Sequence, residues 1–177
     1  MVAGRAQPSA DVLGSPRVSA VADDGNLALL DRFYAAFARL DGAEMAQCYA
    51  PDASFTDPVF IGLRGEQPGG MWRMLTSRAQ DLSVELVSRT ADESAGTAHW
   101  VAHYPFASTG RPVVNDVHSQ FRFVDGLITS QVDEFDFHLW SRQALGLPGL
   151  LLGWTPQLRR SVQRRARAGL DTFLAAP

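Results

Sequence analysis

The 177-residue chain contains no lysine: all 16 of its basic residues are arginine. No side-chain Schiff base can form, which excludes lysine aldolase and pyridoxal-phosphate chemistry. Cys48 is the single cysteine, so an internal disulfide and a paired-cysteine metal or redox site are excluded too. No apolar run approaches the ~18 residues of a membrane-spanning helix. The first residues lack the charged-then-apolar layout of a secretory signal, so a cytoplasmic protein without stable membrane insertion is expected. Sixteen basic residues against 19 acidic ones give a net charge of −3, which offers no global electrostatic case for nucleic acid. What is present is 46% apolar and 20% charged residues, the balance of an ordinary globular domain. The length suits one domain with its own core.

Residues 1–24 are rich in Ala, Ser, Pro, Gly and Asp without a sustained period and read as a flexible leader. From Asn26 the pattern changes. Leu27, Leu30, Phe33, Tyr34, Phe37 and Leu40 recur at three- and four-residue steps, one apolar helical stripe. Asp41 followed by Glu44 has capping-box spacing and opens a second helix carrying Met45, Cys48 and Tyr49, which Pro51 ends. Residues 53–56 form a short strand, and Pro58 forces an extended backbone at Asp57. A third helix is expected over 68–79. Four strand-like segments follow, at 82–89, 97–106, 112–123 and 127–137, and the Asp125-Gly126 turn between the last two is a strong hairpin signal. Helices first and an antiparallel meander afterwards imply an α+β fold with helices on one face of a curved sheet. Residues 141–177 add an apolar run, Leu145 to Trp154, and a basic amphipathic helix from about Pro156 to Leu174. That run would line the mouth of the fold or clamp the last helix. The helix would pack on the domain, membrane contact through its arginines being the weaker alternative.

Strand parity sorts the side chains by face. Thr129, Gln131, Asp133, Phe135 and Phe137 fall on one side of their strand; Val113, Asn115, Val117, Ser119 and Phe121 share a side of theirs; Trp100, Ala102, Tyr104 and Phe106 do so on the third. These faces are aromatic with a few polar intrusions, as a concave ligand pocket requires. His99, His103, Asp116, His118, Gln120, Arg122, Glu134 and Asp136 fall opposite, on a polar outer surface or dimer interface. One bulge would bring His118 inward. His99 and His103 share a face as a possible metal pair, but no third ligand has an obvious place, so no metal or cofactor is expected. Asp57 before Pro58 reads either as a turn residue bonding nearby backbone or as a site acid.

The segment Asp31-Arg32-Phe33-Tyr34-Ala35-Ala36-Phe37, the later Phe55-Thr56-Asp57-Pro58 and the cluster Asp133-Glu134-Phe135-Asp136 together resemble the nuclear-transport-factor-2-like superfamily, in its SnoaL-like (polyketide cyclase), ketosteroid isomerase and limonene-epoxide hydrolase branches. The resemblance implies a cone-shaped curved antiparallel sheet over residues 25–140, with N-terminal helices on its concave face and a C-terminal helix beyond. It also implies a homodimer through the outer face near His118 and Arg122. The isomerase comparison runs from Arg32 to Val59 and places Asp57 on the proton-shuttling aspartate. The family's oxyanion-binding tyrosine falls on Phe33, with Tyr34 next to it, and its protonated aspartate on Ser119. The epoxide hydrolase comparison places Asp133 on the water-activating acid and Asp57 on an asparagine that holds the water. Where that family keeps paired Arg and Asp, this chain has His99, Trp100, His103 and Tyr104.

The expected activity is cofactor-free acid–base chemistry, whether isomerisation, cyclisation or epoxide opening, on a hydrophobic small molecule. Asp57 or Asp133 would be the base, and Tyr104, Ser119 or Asn115 the donor to a developing oxyanion. Phe33, Tyr34, Phe55, Trp72, Trp100, His118, Gln131 and Phe135 would line the site. The competing expectation is a ligand-binding or protein-interaction module without catalysis. Buried acids facing an enclosed pocket favour the first; splayed acids or a pocket collapsed by aromatic packing favour the second.

Overall fold

The computed structural model describes residues 23–176. Helix α1 (Asp24–Ala38) begins inside the expected leader, the rest of which lies outside the described residues. The Asp23 carboxylate caps it by accepting the Gly25 N–H at 2.8 Å. Its apolar stripe buries Leu29, Leu30, Phe33, Tyr34 and Phe37 against the sheet. Asp41 caps α2 (Gly42–Gln47) as its spacing predicts, accepting the Glu44 N–H at 2.9 Å. The helix ends sooner than expected. Tyr49 is not on α2 but opens strand β1 (Tyr49–Thr56), and Pro51 sits inside that strand. A register shift between Tyr49 and Ser54 spans the proline, and β2 (Leu63–Arg64) pairs only with Ser54 and Phe55. No ladder bond is therefore asked of the proline nitrogen. Helix α3 (Gln67–Arg78) follows and buries Met71, Trp72 and Met74.

Strands β3 (Ser83–Ala91), β4 (Ala95–Pro105), β5 (Pro112–Val124) and β6 (Leu127–Glu134) form the expected antiparallel meander. Asp125 and Gly126 both take positive φ, 52° and 71°, as a tight two-residue hairpin turn demands. The sheet as a whole is mixed rather than antiparallel. Its order is β2-β1-β6-β5-β4-β3, and β1 runs parallel to β6, with Thr56 opposite Val132. A parallel neighbour requires a long crossover, here supplied by α3 and the whole meander. A register shift between Arg122 and Phe123 displaces parity at the start of β6. Ile128, not Thr129, is consequently buried beside Gln131 and Asp133, and the Thr129 hydroxyl donates to the Arg122 carbonyl at 3.2 Å.

The last strand also stops short of its expected end. Asp136 accepts the Leu139 N–H at 3.0 Å and caps α4 (Phe137–Leu145), so Phe137 is the first residue of a helix. A short α5 (Leu147–Leu152) and the long α6 (Pro156–Leu174) complete the chain. Leu170 is fully buried in the main core, with Ala166, Phe173 and Leu174 packed beside it. Burying that leucine contributes roughly 2 kcal/mol toward docking α6. His138 is partly buried, and its Nε2 has no hydrogen-bond partner among the described residues.

Candidate active site

The parallel pairing of β1 with β6 brings the two acids together. Asp57 and Asp133 each lie one residue beyond the Thr56–Val132 pair, at neighbouring strand ends. Asp133 is 4% exposed. Asp57 is partly buried as a residue, and its Oδ1 closes the turn by accepting the N–H groups of Val59, at 2.7 Å, and Phe60. Burial pushes the Asp57 carboxyl up from 3.8 to about 7, opposed by the Phe60 N–H and reinforced by the charge of Asp133. Burial likewise raises Asp133 to about 6, against the hydrogen bonds of Ser119 and Gln131. The turn reading and the site reading of Asp57 therefore both hold: it fastens the loop and carries a desolvated carboxyl.

Three polar arms end near these acids, and an indole anchors each. In the first, the Trp72 Nε1–H donates to the Tyr49 hydroxyl at 2.8 Å, Tyr49 donates to Gln131 Oε1, and the Gln131 amide nitrogen donates to Asp133 at 2.8 Å. An indole N–H only donates, so each later bond must run the same way, toward the carboxylate. In the second, Trp100 Nε1–H and the Tyr34 hydroxyl both donate to Ser119 Oγ, at 2.9 and 3.2 Å. With both lone pairs of that hydroxyl occupied, its single proton is left for Asp133, its cross-strand partner. In the third, Trp140 Nε1–H donates to the Tyr104 hydroxyl at 3.0 Å. The charge of Asp57 adds to the burial that raises the Tyr104 phenol. Tyr34 and Tyr49 are raised well above their ordinary value by burial first and by Asp133 next, so all three phenols keep their protons.

Aromatic walls surround the arms. Phe33, fully buried, meets Tyr34, Tyr49 and Trp72 edge-on with centroids 5.2–5.9 Å apart. Phe55 is buried against Trp72, and the partly buried Phe135 packs near Trp140. Asn115 is half-buried on the inward side of β5, opposite Ala102. The structure thus gathers the expected Phe33, Tyr34, Phe55, Trp72, Trp100, Tyr104, Ser119, Gln131 and Phe135 around or beside the acid pair.

His118 is a correction. No bulge interrupts β4–β5, so parity holds and the ring lies on the outer face, with a side chain 68% exposed. It stacks on His99, its cross-strand partner, at 4.3 Å, and both lie near Asp116. His99 accordingly groups with Asp116 and His118 rather than with His103. Tyr49 and Trp140 are members of the arms that sequence reasoning missed. The signal for Tyr49 was its position just past a capped, short helix; nothing in the sequence pointed to Trp140 as the partner of Tyr104.

Two open cavities lie elsewhere. One of about 490 Å³ runs between α6 and the loop after Asp57, lined by Val59, Phe60, Ile61, Gln163, Arg164 and Arg167 among others. There Gln163 donates to the Pro58 carbonyl at 3.0 Å, tying α6 to the Asp57 turn. The other, about 900 Å³, lies on the outer face by His99, His118 and Arg122. Neither is lined by Asp57 or Asp133.

A curved mixed sheet covered by N-terminal helices, with acids at the ends of β1 and β6, is the nuclear-transport-factor-2-like architecture. The profile of the SnoaL-like domain matches residues 30–131, and the chain belongs to that family. No curated protein matches it. Among solved structures it is similar to a Catenulispora acidiphila protein with a ketosteroid isomerase-like fold, solved with trimethylamine (18% identity, TM-score 0.60, covering 72% of this chain and 97% of that one). It is similar to an LEH-like epoxide hydrolase of Mycobacterium tuberculosis (21%, 0.57, 72% and 96%). A proposed polyketide cyclase of Xanthomonas campestris is a third relative in fold (20%, 0.57, 67% and 96%). At these identities the likeness establishes the fold.

Proposed function

We propose that the protein is a cofactor-free acid–base enzyme acting on a hydrophobic small molecule at Asp57 and Asp133. The observation that carries this is the pair of desolvated carboxyls at adjacent strand ends, raised to about 7 and about 6. A general base works best when its pKa lies near the working pH. Asp57 has Oδ1 engaged by its own turn, which leaves Oδ2 to take a proton from a substrate carbon or a water. Asp133, supplied by Gln131 and Ser119, holds its position and raises its neighbour. Tyr104, whose oxygen already accepts from Trp140, has its proton free for a developing oxyanion. Isomerisation, cyclisation and epoxide opening all need this base-and-donor geometry, and the fold relatives carry names from each class.

The test is deuterium uptake from heavy water into the α-carbon of hydrophobic cyclic ketones, together with hydrolysis of hydrophobic epoxides. Wild type should catalyse one of them, and Asp57→Asn should lower that rate roughly 10²–10⁴-fold while retaining the fold. Equal rates in wild type and Asp57→Asn would refute the assignment. A ligand-binding module without turnover is the second reading. It is favoured by the two open cavities, neither of which is lined by the acids. Binding of the same ketones without exchange, in wild type and variant alike, would select it.

A further inference from the structure

Helix α5 is amphipathic in the reverse sense: its glycines face the protein and its leucines face outward. Gly149 packs so tightly on α4 that a Cβ there would lie 1.8 Å from the Ser141 carbonyl oxygen, and one at Gly153 would lie 2.2 Å from the Ser141 hydroxyl. Only glycine allows this approach. The leucines left over, Leu147, Leu150, Leu151 and Leu152, together with Trp154, are 48–74% exposed. A stretch with this much apolar surface, clamped outward by its small residues, marks an interaction site.

Charge identifies the occupant. Between Phe137 and Leu170 the chain has six arginines and no Asp or Glu, although its net charge is −3. Arg159 and Arg160 follow Trp154 within two turns, and Arg142 precedes the patch on α4; all three are exposed. A second copy on a two-fold axis would set these arginines against themselves. Nucleic acid would meet the charge but not the leucines. We propose that α5, Trp154 and the start of α6 dock this protein onto an anionic lipid bilayer surface, with the leucines and the indole in the interfacial region and the arginines on the headgroups. No helix of the described residues is long and apolar enough to cross a membrane, so the attachment is peripheral. It is independent of the acid pair.

The experiment is co-sedimentation of the full chain with vesicles of phosphatidylcholine alone and of phosphatidylcholine mixed with phosphatidylglycerol. Binding is expected on the mixed vesicles, weakening sharply as salt is raised, with a blue shift in fluorescence that Trp154→Phe removes. Leu151→Ser combined with Trp154→Ser should abolish binding, and Arg159→Gln with Arg160→Gln should weaken it about tenfold on mixed vesicles only. Leu151, Trp154 and Arg160 are exposed, so melting should change little in these variants, with a small loss where the Arg159 guanidinium leaves the Phe137 ring 4.8 Å away. Failure of wild type to bind mixed vesicles would overturn the proposal. So would binding that survives the Leu151/Trp154 pair, or light scattering in which that pair turns a dimer into a monomer, which would make a second copy the occupant.

Discussion

Replacing Asp57 with asparagine should flatten the pH dependence of stability, in a direction opposite to that of an ordinary salt-bridged acid. In the unfolded chain this carboxyl titrates at 3.8; in the fold it titrates at about 7, chiefly because burial penalises its charge. Between those values the folded state holds a proton that the unfolded state has released, so stability falls as pH rises through the window. Below about pH 4 both states are protonated and nothing is lost. Above about pH 7 the whole cost is present, about 4 kcal/mol at 1.36 kcal/mol per tenfold. Asp133, raised to about 6, adds about 3 kcal/mol by the same reasoning. The two costs share one electrostatic interaction and do not simply add. Asparagine keeps an oxygen for the Val59 and Phe60 N–H groups and removes the charge. Urea titrations from about pH 4 to about pH 8 should give equal stability at the acid end and a variant 2–4 kcal/mol more stable at the basic end, roughly. The difference between the two proteins cancels every titrating group not coupled to Asp57, leaving Asp57 and its interaction with Asp133. Parallel curves across that range would refute a desolvated Asp57.

Tyr49→Phe breaks the first arm by removing the proton that orients Gln131; a loss of about 1–3 kcal/mol in denaturant titration is expected, with a changed Asp133 carboxyl shift in a carbon-detected pH titration. Gly149→Ala forces a Cβ against the Ser141 carbonyl oxygen at 1.8 Å, and thermal melting should report a cost of about 1–3 kcal/mol or more. Asp133→Asn should suppress whatever turnover Asp57 supports without unfolding the protein, checked by circular dichroism beside the exchange assay. We expect a homodimer through the outer sheet face, where Val87, Val114 and Val132 are exposed beside His118 and Arg122; a monomer mass by light scattering at micromolar concentration would refute it.

Local signals carried most of the elements. The stripe from Leu27 to Phe37, the Asp41 cap and the Asp125-Gly126 turn each act within a few residues, and each is found where its chemistry places it. The two misplacements have different causes, one a tertiary override and the other a competing local cap. Pro51 has the chemistry of a helix stop but sits in a strand whose neighbours ask nothing of its nitrogen. Alternation carried residues 127–137 as one strand, but the Asp136 carboxylate claims the Leu139 N–H and starts a helix instead.

The candidate site was legible as a list of residue types and illegible as a direction. Parity found Ser119, Gln131, Asp133, Trp100 and Tyr104, because inward alternation is a property of one strand at a time. What sets the sense of each proton chain is long-range: Trp72 reaches Tyr49, Trp100 reaches Ser119, and Trp140 reaches Tyr104, 23, 19 and 36 positions away. An indole cannot accept, so three of the four tryptophans fix the hydrogen-bond direction of the arms by the same chemical asymmetry. The fourth, Trp154, has no such arm and is the most exposed large apolar side chain among the described residues. Directed donors from Gln131 and Ser119 let Asp133 be buried, and the charge it carries when ionised helps hold the Asp57 proton up to near-neutral pH. An indole at the root of each arm presents a proton and no lone pair, so reversing the bond at any root would set two donors against each other in the core.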